Sequence, residues 1–185
     1  ANQQLALAEL DEAGQSYRRA RRTYLASAGE QSAEVAYCDF GLARIASANA
    51  DFSTAQTLYQ KVQETFRATH GDESLEVASV LAAIGQAQTL TGDYPAAQST
   101  LEQALAIQKK LLGPEHPHVA RTLASLGQLA TLSGDYDTAV ALLTQALGII
   151  TGGMYGDHPD AADLYGFLAD ARLQRGQLQE AVDMY

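Results

Sequence analysis

The sequence predicts an all-α solenoid of antiparallel helix pairs, on three observations. A motif recurs every 42 residues, alanine-rich amphipathic segments alternate with short turns, and there is no tryptophan and only four prolines. Abundant alanine favours helix over strand. Fixed-period self-similarity is the mark of a repeat array.

The recurrence is read from turn residues. Gly92-Asp93-Tyr94 and Gly134-Asp135-Tyr136 lie 42 residues apart, and one more step reaches Gly176. Stepping backward gives Ala50 and then Ala8. An alanine follows each anchor by five residues: Ala13, Ala55, Ala97, Ala139 and Ala181. A second register agrees, since Gly29–Ala36 aligns with Gly71–Ala78, and His116-Pro117-His118-Val119-Ala120 with His158-Pro159-Asp160-Ala161-Ala162.

The elements follow in order. Residues 1–7 read as the end of an earlier helix, and a new helix runs over 11–28. Helices follow at 33–48 and at 52–69, the second capped by Asp51, whose side chain accepts a first-turn N–H. The next is 75–91. Asp93 caps 94–112, where Pro95 sits in a first turn that needs no N–H from it. Gly113-Pro114-Glu115-His116-Pro117 cannot continue a helix. Helix 117–133 carries Val119, Leu123, Leu126 and Ala130 at helical spacing. Ser133-Gly134-Asp135 ends it, with Gly134 suited to a left-handed C-cap. Helix 136–152 places Tyr136, Ala139, Leu143, Ala146, Leu147 and Ile150 on one face, and helices 159–175 and 178–185 complete the chain. The whole chain, 1–185, is expected to be one array: 1–28 (partial), 29–70, 71–112, 113–155 and 156–185 (partial).

These residues carry a resemblance. Leu123, Leu126-Gly127, Ala130, Gly134-Asp135-Tyr136, Ala139, Leu143 and Ala146 resemble the tetratricopeptide repeat (TPR). Small residues at two points per unit suit helices crossing at about 8–10 Å. Ala43, Gly85, Gly127 and Ala169 supply one point; Ala55, Ala97, Ala139 and Ala181 supply the other. The long period and ALAIQKKLLGPEHPHVA are similar to the kinesin-light-chain-like subtype. The resemblance implies a right-handed superhelix whose inner helices line a concave groove. Kinesin light chain repeats carry paired asparagines on the inner helix to hold cargo. Here Phe40-Gly41, Ala82-Ala83, Ala124-Ser125 and Gly166-Phe167 stand at those positions, so that clamp is not expected. The lysine and asparagine carboxylate clamp of chaperone-binding members is missing too.

Composition narrows the function. A net charge of −10 should repel nucleic acid and anionic membranes. No apolar run approaches the roughly 18–20 residues of a membrane span. No secretory signal opens the chain, so a cytoplasmic location is expected. Cys38 is the single cysteine, which excludes an internal disulfide and reads as helix packing. His116, His118 and His158 read as turn-capping residues, because no further ligands are arranged around them for a metal. Gly152–Gly156 follows no strand and reads as a frayed helix end, not a phosphate loop. Arg18, Arg19, Arg21 and Arg22 read as a solvated helix face. No nucleophile, base and acid fall into a catalytic arrangement, so no catalytic residue, metal or cofactor is expected.

The groove is the candidate site. Heptad-like spacing assigns to it Tyr37, Phe40 and Arg44, then Ser79 and Gln86, then Arg121, Ser125 and Gln128, then Asp163, Phe167 and Asp170. The expected partner is a protein or peptide segment, helical or extended. The alternative is a regulatory or sensor domain of a larger protein. Because repeats bury apolar faces against their neighbours, end-to-end self-association is a further expectation.

Overall fold

The computed structural model of the chain describes residues 2–152 and 160–182. Among the described residues there are nine helices and no strand: α1 (Asn2–Ala28), α2 (Ala33–Ala48), α3 (Phe52–His70), α4 (Leu75–Thr91), α5 (Tyr94–Leu112), α6 (Pro117–Ser133), α7 (Tyr136–Thr151), α8 (Asp160–Gln174) and α9 (Leu178–Val182). The class is the expected one, all-α helix pairs. The chain forms two compact units, Ala1–Ala87 and Gln88–Tyr185, which divide inside α4.

Local chemistry sets the boundaries. Asp51, Asp93 and Asp135 cap α3, α5 and α7 by accepting the N–H groups of Thr54, Ala96 and Thr138 at 3.1, 3.4 and 3.1 Å. Each side chain satisfies a donor that the helix itself cannot. The residue before each aspartate turns the chain in the left-handed region. Gly92 and Gly134 do so with φ of 83° and 86°, whereas Ala50 does so with φ of 59°.

One boundary departs from expectation. α1 runs unbroken from Asn2 to Ala28, with no separate helix ending near residue 7. At the anchor position, Ala8-Glu9 replaces the turn-forming residues of later units. Both are good helix formers, so nothing stops the helix there. The end of the expected final helix, Gly153–Gly156 and His158 lie outside the described residues.

In the first unit α2 packs on both α1 and α3. Val35, Ala36, Cys38 and Ala43 of α2 and Ala55, Tyr59, Val62 and Phe66 of α3 are buried in this unit. In the second unit one cluster joins Val119, Leu123 and Ala130 of α6 to Ala139, Leu143 and Ile150 of α7 and Leu164 and Leu168 of α8. A second joins Ala97 and Leu101 of α5 to Leu126 and Leu129 of α6. Ala55, Ala97 and Ala139 have no exposed surface, as expected for close helix crossings. A Cβ added to Gly127 would lie 2.6 Å from Leu143 Cγ, so a larger residue there would force Leu143 to shift.

Candidate functional site

The candidate groove residues fall on inner helices α2, α4, α6 and α8, at positions repeating with the 42-residue period. Two of these positions remain open. Tyr37, Arg121 and Asp163 are exposed and Ser79 half-buried at the first; Arg44, Gln86 and Asp170 are exposed and Gln128 half-buried at the second. These eight residues present hydroxyl, amide and charged groups.

A third position is closed on α2, α4 and α6. Ser125 is 6% exposed, and its hydroxyl donates to the Arg121 carbonyl at 3.2 Å. Gly41 and Ala83 precede it in register and are buried as well. A Cβ on Gly41 would lie 2.4 Å from the Tyr17 ring, so this position faces a neighbouring helix. Small size here marks tight packing, and Ser125 is removed from the groove lining. Phe167, next in the register, is half-buried against the core of the second unit.

The aromatic residues of α2 also differ from expectation. Tyr37, assigned to the groove by its spacing, also packs on α3, its ring centroid 4.9 Å from that of Phe66. Its hydroxyl donates to Glu76 Oε1 at 3.0 Å. Burial, then the Glu76 carboxylate, pushes the Tyr37 phenol above its ordinary value. Phe40 packs 6.1 Å from Tyr59, also on α3. Both rings therefore spend part of their surface within the helix pair.

The first unit holds an ionic cluster that sequence reading missed. Asp39 is 1% exposed and meets two cations: Arg21 Nε at 2.6 Å from Oδ1 and Lys61 Nζ at 3.0 Å from Oδ2. Glu30 bridges the same cations, 2.7 Å from Arg21 Nη2 and bonded to Lys61 Nζ. The bond to Asp39 raises the Arg21 pKa against the cost of burial. Burial opposes the charge of Lys61, but Glu30 and Asp39 outweigh it and raise its pKa. The bond from Lys61, reinforced by Arg21, holds Glu30 below the usual carboxylate range. Arg21 thus ties α1 to α2 and is no solvated residue, whereas Arg18, Arg19 and Arg22 are exposed as expected. A cleft of about 530 Å³ opens beside Glu30 and Lys61, lined also by Gln31, Glu64, Thr65 and Thr69.

His116 caps α6: its Nδ1 accepts the His118 N–H at 3.1 Å. Cys38 is a buried free thiol. Among the described residues no group of histidine, cysteine and acidic side chains could hold a metal, and no helix is long and apolar enough to cross a membrane.

Paired helices, small residues at each crossing and polar inner faces define a helical-repeat scaffold. The family is specific. The tetratricopeptide repeat model matches residues 39–110 and 90–151, and a second model of that description matches 130–185. The chain belongs to the tetratricopeptide repeat family. A search of curated proteins finds no match. Among solved structures, BtubC (BKLC) from P. vanneervenii is similar at a TM-score of 0.78 and 20% identity, covering 95% of this chain and 70% of that one. That likeness shows the fold. Two crystal structures of the Podosopora anserina putative kinesin light chain nearly identical TPR-like repeats, one a point variant, give TM-scores of 0.72 and 0.70. Each is 25% identical and covers 96% of this chain and 84% of the other. Repeats of this family generally mediate protein–protein interaction.

Proposed function

We propose that the inner helices bind a protein segment, and that in the second unit charge sets its orientation. The carrying observation is the pair of open positions that present Arg121 on α6 and Asp163 and Asp170 on α8. A partner places basic groups against the aspartates and an acidic group or terminal carboxylate against Arg121. Exposed ion pairs contribute only about 0.2–1 kcal/mol each, so affinity depends mainly on apolar anchors such as Phe167. Electrostatics then governs encounter rate and orientation.

The test is a peptide selected from a displayed library on the intact chain, followed by association and dissociation kinetics at low and high salt. Asp163→Lys/Asp170→Lys should slow association, and high salt should erase most of the difference. Phe167→Ala should speed dissociation, with thermal melting confirming that the variant is folded. Unchanged kinetics in both would remove the inner face as the site and redirect the search to the outer helices.

A further inference from the structure

The residue preceding inner helices α2, α4 and α6 repeats in register as Ser32, Ser74 and His116, at 42-residue steps. All three do the same work. Ser32 Oγ accepts the Val35 N–H at 3.3 Å, Ser74 Oγ accepts that of Val77 at 3.3 Å, and His116 Nδ1 accepts that of His118 at 3.1 Å. Pro117 has no N–H, so the His118 donor is the first that α6 presents.

The chemistries differ in one respect. A serine hydroxyl remains an acceptor at any ordinary pH, whereas imidazole Nδ1 accepts only while neutral. In imidazolium both nitrogens donate, and a proton on Nδ1 would face the His118 N–H. The His116 and His118 rings also stack, with centroids 5.2 Å apart and an interplanar angle of 27°. Charging both would set two cations face to face, near Arg121 and at the positive end of α6. The charged side chains of the flanking segments are Lys109 and Lys110 ending α5, Glu115 in the turn and Asp163 on α8. Among the described residues neither imidazole has a carboxylate ion-pair partner to offset that charge.

We infer that the α5–α6 turn is an acid-responsive joint, in which neutral His116 caps α6 and its protonation releases the first turn. The titration of His118 runs in the same sense. Burial, then Arg121 and His116, lowers its pKa, so the folded chain binds fewer protons than the unfolded one. This stability is complete above the ordinary imidazole value of about 6.5 and declines as pH falls below it. α2 and α4, capped by serine, lack the response.

Amide hydrogen exchange on the intact chain at about pH 7.5 and about pH 5, corrected for intrinsic rates, tests this. Protection at His118–Ala120 should fall about fivefold to tenfold at the lower pH, the scale of a lost cap. Protection near Val35 and Val77 should hold. His116→Ser/His118→Ala, which copies the cap of the earlier units and removes the second titrating ring, should keep protection at both pH values. His116→Asn/His118→Ala, with a second acceptor that does not titrate, should do the same. Equal protection at His118–Ala120 at both pH values would overturn the inference, as would an acid response that persists in the serine and asparagine variants.

Discussion

Arg21 Nε lies 2.6 Å from Asp39 Oδ1, on a carboxylate that is almost completely buried. A buried charge is tolerated only while it is paired, and here Lys61 supplies a second partner at 3.0 Å. Arg21→Met or Lys61→Met alone should therefore cost little, since one cation remains. The double variant leaves Asp39 unpaired and should cost about 3–5 kcal/mol, more than the sum of the singles. Urea unfolding of all four chains measures the coupling, and strict additivity would refute it.

Glu30 gives that cluster a pH dependence of definite sign. Its carboxyl is held low in the fold by Lys61 and then Arg21. Its contribution is present above the ordinary glutamate value of about 4.3 and is lost as pH falls through the lowered one. Glu30→Gln should lower melting at neutral pH and narrow the gap to wild type in acid. A gap that stays constant across that range would contradict the assignment.

Ala50 is, among the described residues, the one non-glycine with positive φ, at 59°. The left-handed conformation costs an L-residue roughly 1–2 kcal/mol, partly offset in glycine by backbone entropy. Ala50→Gly should raise stability by about 0.5–1 kcal/mol on this balance. Gly134→Ala, the reverse change in register, should lower it by a similar amount. Thermal unfolding of the two variants should shift in opposite directions.

Much of this fold was legible because the repeat states its own grammar. The turn residues Ala50-Asp51, Gly92-Asp93, Gly134-Asp135 and Gly176-Gln177, with the fixed alanines, marked helix ends and crossings from α2 onward. α1 was misread at its start because Ala8-Glu9 keeps the period without the turn chemistry. The exposed inner-helix positions were legible too, but Ser125 was not separated from them, since a small polar residue suits a solvated face and a tight crossing alike. The ionic cluster joins residues 9 to 31 positions apart on three helices and a turn, which helical periodicity does not connect. Its trace was a broken register: Asp39 stands where later units place Leu81 and Leu123.

A second broken register carries the last prediction. Phe66, Gln108 and Ile150 repeat at one position, and Val80, Thr122 and Leu164 at another, and all six are at most 3% exposed. In the middle unit the polar pair bonds directly, Thr122 Oγ1 donating to Gln108 Oε1 at 2.7 Å across α5 and α6. Thr122→Val removes the donor and leaves a buried amide oxygen unsatisfied, which should cost about 1–3 kcal/mol. Gln108→Ile alone leaves the threonine hydroxyl without that acceptor and should cost somewhat less, because a hydroxyl can turn toward a carbonyl of its own helix. Replacing both makes the position resemble the flanking units and removes the polar burial altogether. The double variant should then be neutral or more stable than wild type, with a favourable coupling of about 1–3 kcal/mol in a double-mutant cycle. Equilibrium unfolding of the four chains decides it. A double variant as unstable as the two losses summed would mean that the steric fit of Gln108 and Thr122, and not their hydrogen bond, holds α5 to α6.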